Sequence, residues 1–78
     1  GMMNAFVEHI IRALVDHPGE VLITSLDGRR NVIIELRCHS GDMGRVIGKN
    51  GKTIGAIRTL LSGLAAKQGR KAVLEVVE

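Results

Sequence analysis

The sequence predicts an α+β fold, a two-layer sandwich in which helices cover one face of a three-stranded mixed sheet. Three observations carry this expectation. Apolar residues recur at three- and four-residue steps over an early and a late segment, which is the spacing of a helix face. Between them lie two short β-type segments around an Asp27-Gly28 turn signal. A last apolar run, AVLEVVE, follows the late helical segment after Gln68-Gly69.

The early segment reads NAFVEHIIRALVDHPG, and Phe6, Val7, Ile10, Ile11, Leu14 and Val15 fall on one helical face. Asn4 is the expected N-cap and Pro18-Gly19 the stop. VLITSL and NVIIELRC then read as two strands of a hairpin, an antiparallel pair. In the second strand Val32, Ile34, Leu36 and Cys38 share one side, with Glu35 and Arg37 on the other. Ser40-Gly41-Asp42 supplies caps for a short helical turn from Asp42 to Ile47. A longer helix from Lys52 to about Lys67 carries Ile54, Ile57, Leu60, Leu61 and Leu64 on one face.

Gly55 and Gly63 interrupt that helix at about 1 kcal/mol each relative to alanine. Close packing on the sheet is their expected compensation. The element order is α-β-β-α-α-β. Two helices between the second and last strands favour a parallel pairing with a right-handed crossover.

With 78 residues the chain is expected to form one domain over 1–78. Gly1 ahead of Met2 reads as a remnant of tag cleavage and is set aside. A single cysteine, Cys38, leaves no internal disulfide and fits a reducing compartment. No apolar run reaches the roughly 18 residues of a membrane span, and no secretory signal is visible. The expected setting is cytoplasmic, without membrane contact.

Net charge is +3, unevenly spread. Residues 1–42 balance at −2. Residues 43–71 hold Arg45, Lys49, Lys52, Arg58, Lys67, Arg70 and Lys71 with no acid, a balance of +7. Such a stretch is either a solvated basic face or an electrostatic footprint for a polyanion.

Its centre, RVIGKNGKTIGAI, decides between two phosphate ligands. Gly51-Lys52-Thr53 matches the end of the nucleotide-binding G-x-x-x-x-G-K-[ST] loop, but the required first glycine falls on Val46. A short helix, not a strand, is expected ahead of it, and residues 54–74 contain no acid to hold magnesium. An NTPase is excluded on these grounds. In the other reading, Gly48-Lys49-Asn50-Gly51 joins two helices in a tight corner. Without side chains at 48 and 51, a sugar-phosphate backbone can approach the main chain and the start of the following helix.

V-I-G-K-N-G-K-T-I, residues 46–54, resembles the V-I-G-x-x-G-x-x-I core of the KH domain, an RNA-binding module whose G-x-x-G loop clamps about four nucleotides. The helix and hairpin ahead of that core resemble the type II, prokaryotic arrangement. Across residues 3–78, with ALVDHP and DMGRVIGKNGKTIGAIRTLL, the chain is similar to the small bacterial single-KH proteins of the KhpA type.

The resemblance implies that Gly48, Lys49, Asn50 and Gly51 hold the RNA backbone. It implies that Ile47, Ile54 and Ile57 line one side of an apolar groove, with Val32 or Ile34 opposite. Arg45, Lys52 and Arg58 would flank the groove, and Arg29 and Arg30 would reach its far end. The bland alternatives are that the isoleucines are core and that Arg58, Arg29 and Arg30 are merely solvated.

No catalytic pair emerges: Cys38 and His39, as strand neighbours, point to opposite faces. His9 and His17 are too far apart for a metal pair at i, i+4. No cofactor is expected. Phe6 is the sole aromatic residue apart from histidine, so stacking platforms are lacking. The expectation is a non-catalytic binder of single-stranded RNA in post-transcriptional regulation. Weak single-module binding implies avidity through a homodimer or a larger KH-containing partner of the Jag/KhpB kind. Two rival readings are a helix-turn-helix DNA binder and a protein–protein module on the same scaffold.

Overall fold

The computed structural model describes residues 1–78 and has the expected architecture. Helix α1 spans Met2–Leu14, strands β1 and β2 span Leu22–Asp27 and Asn31–Arg37, and α2 spans Met43–Ile47. The long helix α3 covers Lys52–Lys67 and strand β3 covers Lys71–Val76. Strand β2 is central: it pairs antiparallel with β1, from Leu22↔Arg37 to Asp27↔Val32. With β3 it pairs in parallel, from Asn31↔Lys71 to Leu36↔Val76, as the two-helix crossover requires.

Both ends of α1 differ from expectation. The helix begins at Met2 behind Gly1, whose carbonyl accepts the Ala5 N–H at 3.1 Å. Asn4 therefore lies inside the first turn, and its Nδ2 donates to Ser25 Oγ at 2.9 Å, tying α1 to β1. The helix stops at Leu14, where Val15 turns extended. The N–H groups of Asp16 and His17, which could have prolonged it, donate instead to the Asp42 carboxylate. Pro18–Glu20 form a separate 3-10 turn.

The core lies between the sheet and the helices. Met3, Val7 and Ile11 enter it from α1, and Val32, Ile34 and Leu36 from β2. From α3 come Ile54, Ile57, Leu61 and Ala65, a narrower stripe than the sequence suggested. Leu60 falls outside it at 59% exposure, and Leu64 is only half-buried. Gly55 and Gly63 are not packing residues either. A Cβ on either meets no atom within 4 Å outside the local helix. Gly55→Ala should therefore raise stability by about 0.4–1 kcal/mol, through lower unfolded-state entropy and better helix propensity. The check is the urea midpoint at unchanged m-value, and a fall in midpoint would show that the position needs glycine.

Candidate nucleic-acid interface

The corner between α2 and α3 is built from three backbone conformations with positive φ. Gly48 has φ 78° and ψ 168°, Asn50 φ 58° and ψ 26°, and Gly51 φ 72° and ψ 15°. Lys49–Gly51 form one 3-10 turn, closed by the Gly51 N–H on the Gly48 carbonyl at 3.1 Å.

The two glycines are required for different reasons. A Cβ on Gly48 would stand 2.6 Å from Thr53 Cβ and 2.8 Å from Thr53 N, and its backbone region is essentially closed to other residues. At Gly51 the space is open, and only the left-handed φ favours glycine. Asn50 occupies the left-handed region that asparagine tolerates better than most residues. Lys49 and Asn50 are exposed, and neither side chain makes a hydrogen bond or ion pair within the chain. No side chain caps α3. The corner thus presents bare main chain, one cation and one amide to solvent.

Asp42 anchors the other end of α2, ahead of Met43. It is 1% exposed, and its side chain does not cap α2 as the sequence suggested. Its Oδ1 accepts the Asp16 N–H at 3.0 Å, and its Oδ2 accepts the His17 N–H at 3.0 Å and faces His17 Nδ1 at 3.1 Å. Burial alone would raise its pKa. The hydrogen bonds from Asp16 and from the His17 ring and backbone outweigh this and hold the carboxyl below the ordinary aspartate value. His39 instead caps the 3-10 turn Ser40–Asp42 that leads into α2, its Nδ1 accepting the Gly41 N–H at 3.0 Å.

His17 and His39 stack with ring centroids 3.9 Å apart, so they and Asp42 form a three-member cluster with the composition of a metal site. Its hydrogen bonding argues otherwise. His39 commits Nδ1 to Gly41, and His17 turns Nδ1 to a carboxylate that already accepts two backbone N–H groups. The cluster reads as a structural clamp between the Asp16–His17 segment and the start of α2. Beside it, burial and then the Asp42 charge push the Cys38 thiol up, which makes it a poor nucleophile.

The remaining candidate residues divide into two groups. Arg45 and Lys52 are exposed near the corner; Lys52 has no ionic partner, and Arg45 makes a loose surface pair with Asp16 at 3.4 Å. Ile47 is half-buried against the core. Ile54 and Ile57, at 4% exposure each, are core residues, as are Val32 at 1% and Ile34 at 0%. These four have almost no surface left with which to line a groove. Arg58 is neither free nor loosely solvated. Its Nε and Nη2 both donate to the Leu74 carbonyl, at 3.1 and 2.9 Å.

That contact exposes something the sequence does not signal. Lys71 donates to the Arg30 carbonyl just ahead of β2 and Val77 to the Leu36 carbonyl within it, so the alternate residues Ala72, Leu74 and Val76 turn their backbone groups to the open edge of the sheet. Arg58 bridges this edge to α3, seven residues or about 10 Å along the helix from Gly51. The basic run is also split in space. Lys67, Arg70 and Lys71 lie at the far end of α3, beside the hairpin turn, where Arg70 binds Asp27 at 3.2 Å and the Gly28 carbonyl at 2.8 Å. Arg29 and Arg30 share that end, about 24 Å from the corner along a sixteen-residue helix.

The family described as KhpA/KhpB, KH domain, matches residues 4–76. A protein named RNA-binding protein KhpA from Halalkalibacterium halodurans is 43% identical over 76 residues, covering 97% of this chain and all of the relative. Proteins of the same name from Chlamydia muridarum and Aquifex aeolicus are 43% and 40% identical, each over 97% of this chain and 97% and 96% of their own lengths. No solved structure matches the chain. The glycine corner, the strand order and near full-length similarity to these relatives agree: the chain belongs to the KhpA/KhpB KH-domain family.

Proposed function

We propose that the chain binds single-stranded RNA at the Gly48–Gly51 corner, without catalysis, in post-transcriptional regulation. The observation that carries this reading is the bare, positively curved corner tipped by the unpaired side chains of Lys49 and Asn50. The names of the relatives support it. Phosphates meet the Gly48–Gly51 backbone, with Lys49, Asn50, Lys52 and Arg45 around them. Bases follow α3 toward the β3 edge, where unpaired backbone groups and Arg58 offer polar contacts and Ile47 supplies apolar surface. Ile54 and Ile57 act from beneath, by fixing α3 in the core.

Four nucleotides without aromatic stacking make a weak single site, so avidity from a second copy or a larger KH-containing partner belongs to the same reading. A cavity of about 390 Å³ lined by Phe6, Leu60, Gly63, Leu64 and Lys67 is the seat we assign to that partner. The open glycine and exposed leucine there leave room for an approaching helix.

The test is a titration of labelled single-stranded RNA, single-stranded DNA and duplex DNA at several salt concentrations. Three or four phosphate contacts imply a log–log salt slope of about −2 to −3 for RNA. Lys49→Asp with Asn50→Asp should abolish this binding while the thermal midpoint stays within about 3 °C, because both side chains are exposed and unpartnered. Tighter binding of duplex would favour the DNA-binding rival, and binding without salt dependence would remove the phosphate clamp.

A further inference from the structure

Gly55 and Arg58 stand four and seven residues beyond Gly51, so they continue the corner along one face of α3. Gly55 weakens that helix, and its missing side chain relieves no crowding, since a Cβ there meets nothing within 4 Å. The fold makes no use of this glycine. What it leaves is a strip of bare helix surface running from the corner to the Arg58 guanidinium and the β3 edge.

At the end of this strip the hydrogen-bonding capacity is one-sided. Leu74 turns its N–H and its C=O side by side to the open edge, but the carbonyl is taken. Arg58 donates to it through Nε at 3.1 Å and Nη2 at 2.9 Å, which occupies both lone pairs of the oxygen. The guanidinium keeps three further N–H donors, and no carboxylate pairs with it. With the Leu74 N–H this spot offers four donors and no free acceptor. Ala72 and Val76 retain both kinds of group, but about 6.6 Å away on either side.

We propose that this spot is a base subsite selective for an edge with two adjacent hydrogen-bond acceptors, either N3 and O2 of cytosine or N7 and O6 of guanine. The base lies on the bare surface over Gly55 with that edge toward Arg58 and the Leu74 N–H. Adenine is disfavoured, because its N6 amino group stands beside each of its acceptors and needs the carbonyl that Arg58 already holds. Uracil is intermediate, because N3–H separates its two acceptors. A donor forced against donors stays unpaired, and that is the source of the discrimination. Arg58 thus sets base choice. The inference rests on RNA binding at the corner and adds to it which base the strand carries one step beyond.

The test uses labelled eight-nucleotide oligo(U) strands with one internal adenine, cytosine or guanine, titrated by fluorescence anisotropy. A cytosine or a guanine should tighten binding at least about fivefold over plain oligo(U), and an adenine should not. A strand with 7-deazaguanine separates the two sources, losing the gain only if the guanine N7 edge is read. Arg58→Met removes the donors and frees the Leu74 carbonyl. It should abolish the cytosine or guanine gain and create one for adenine, which then meets an N–H beside a C=O. Arg58→Lys keeps the charge without the planar fork and should also lose the gain while plain oligo(U) binds as before. Arg58 is exposed, and thermal melts check that both variants fold. Equal binding of all strands by the unaltered protein, or an Arg58→Met loss equal for every base, would overturn the inference and leave the phosphate corner standing. Failure of every strand to bind would overturn the RNA-binding reading and this inference with it.

Discussion

Gly48→Ala is expected to cost about 2–4 kcal/mol of stability and at least about tenfold in RNA affinity. Two effects add at this one position. The backbone sits at φ 78°, ψ 168°, where a side chain is strained wherever it points. The new methyl would also fall within 2.8 Å of Thr53 N in the first turn of α3, a main-chain atom that moves only if the helix moves. Relief therefore requires displacing α3 relative to α2, which opens the corner that we propose to receive phosphate.

Gly51→Ala is the control. Its Cβ meets open space, so only the left-handed conformation is penalised, by about 1–2 kcal/mol. Urea denaturation of both variants, with RNA titration of each, separates strain from collision. Equal losses at the two positions would refute the assignment of Gly48 as the steric keystone of the corner.

Asp42→Asn should be among the most damaging single changes outside the apolar core, with a fall in thermal midpoint of at least about 5 °C at pH 7. An amide replaces one acceptor oxygen by a donor, opposite groups that themselves donate: the N–H groups of Asp16 and His17. The pH dependence follows from the direction of the shift. The folded-state pKa of Asp42 is depressed, so its stabilising contribution is present above the unfolded-state value near 4 and is lost as pH falls through the folded value. The unaltered chain should therefore lose stability in acid more steeply than Asp42→Asn. Urea midpoints at pH 7 and at pH 3 check this, and parallel acid limbs would show that Asp42 is not the group responsible.

Both predictions concern residues that local sequence rules described incompletely. The glycine pair was legible because positive φ is a local demand that few residues meet, and Asn50 between them fits the same demand. Asp42 was legible as a polar residue ahead of a helix, which is the pattern of a cap. Nothing within a few residues of it signals that its partners are Asp16 and His17, some 25 positions earlier. The same limit applies to Arg58. Its spacing on α3 places it off the core stripe, but only the approach of β3 offers it the Leu74 carbonyl.

By itself the sequence determined the order of elements, the pairing sense of both strand pairs and the tight corner. Each of these follows from periodicity, connection length or the conformational range of single residues. The tertiary structure alone decided which apolar residues keep any surface, since Ile47, Ile54 and Ile57 look alike along the chain and differ only in what packs over them. It also divided one contiguous run of cations between two ends of a helix, because chain neighbours are carried about 1.5 Å apart per residue once a helix forms. Local rules stop there because burial and electrostatic partnership are set by distant segments, whose positions no short window of residues contains.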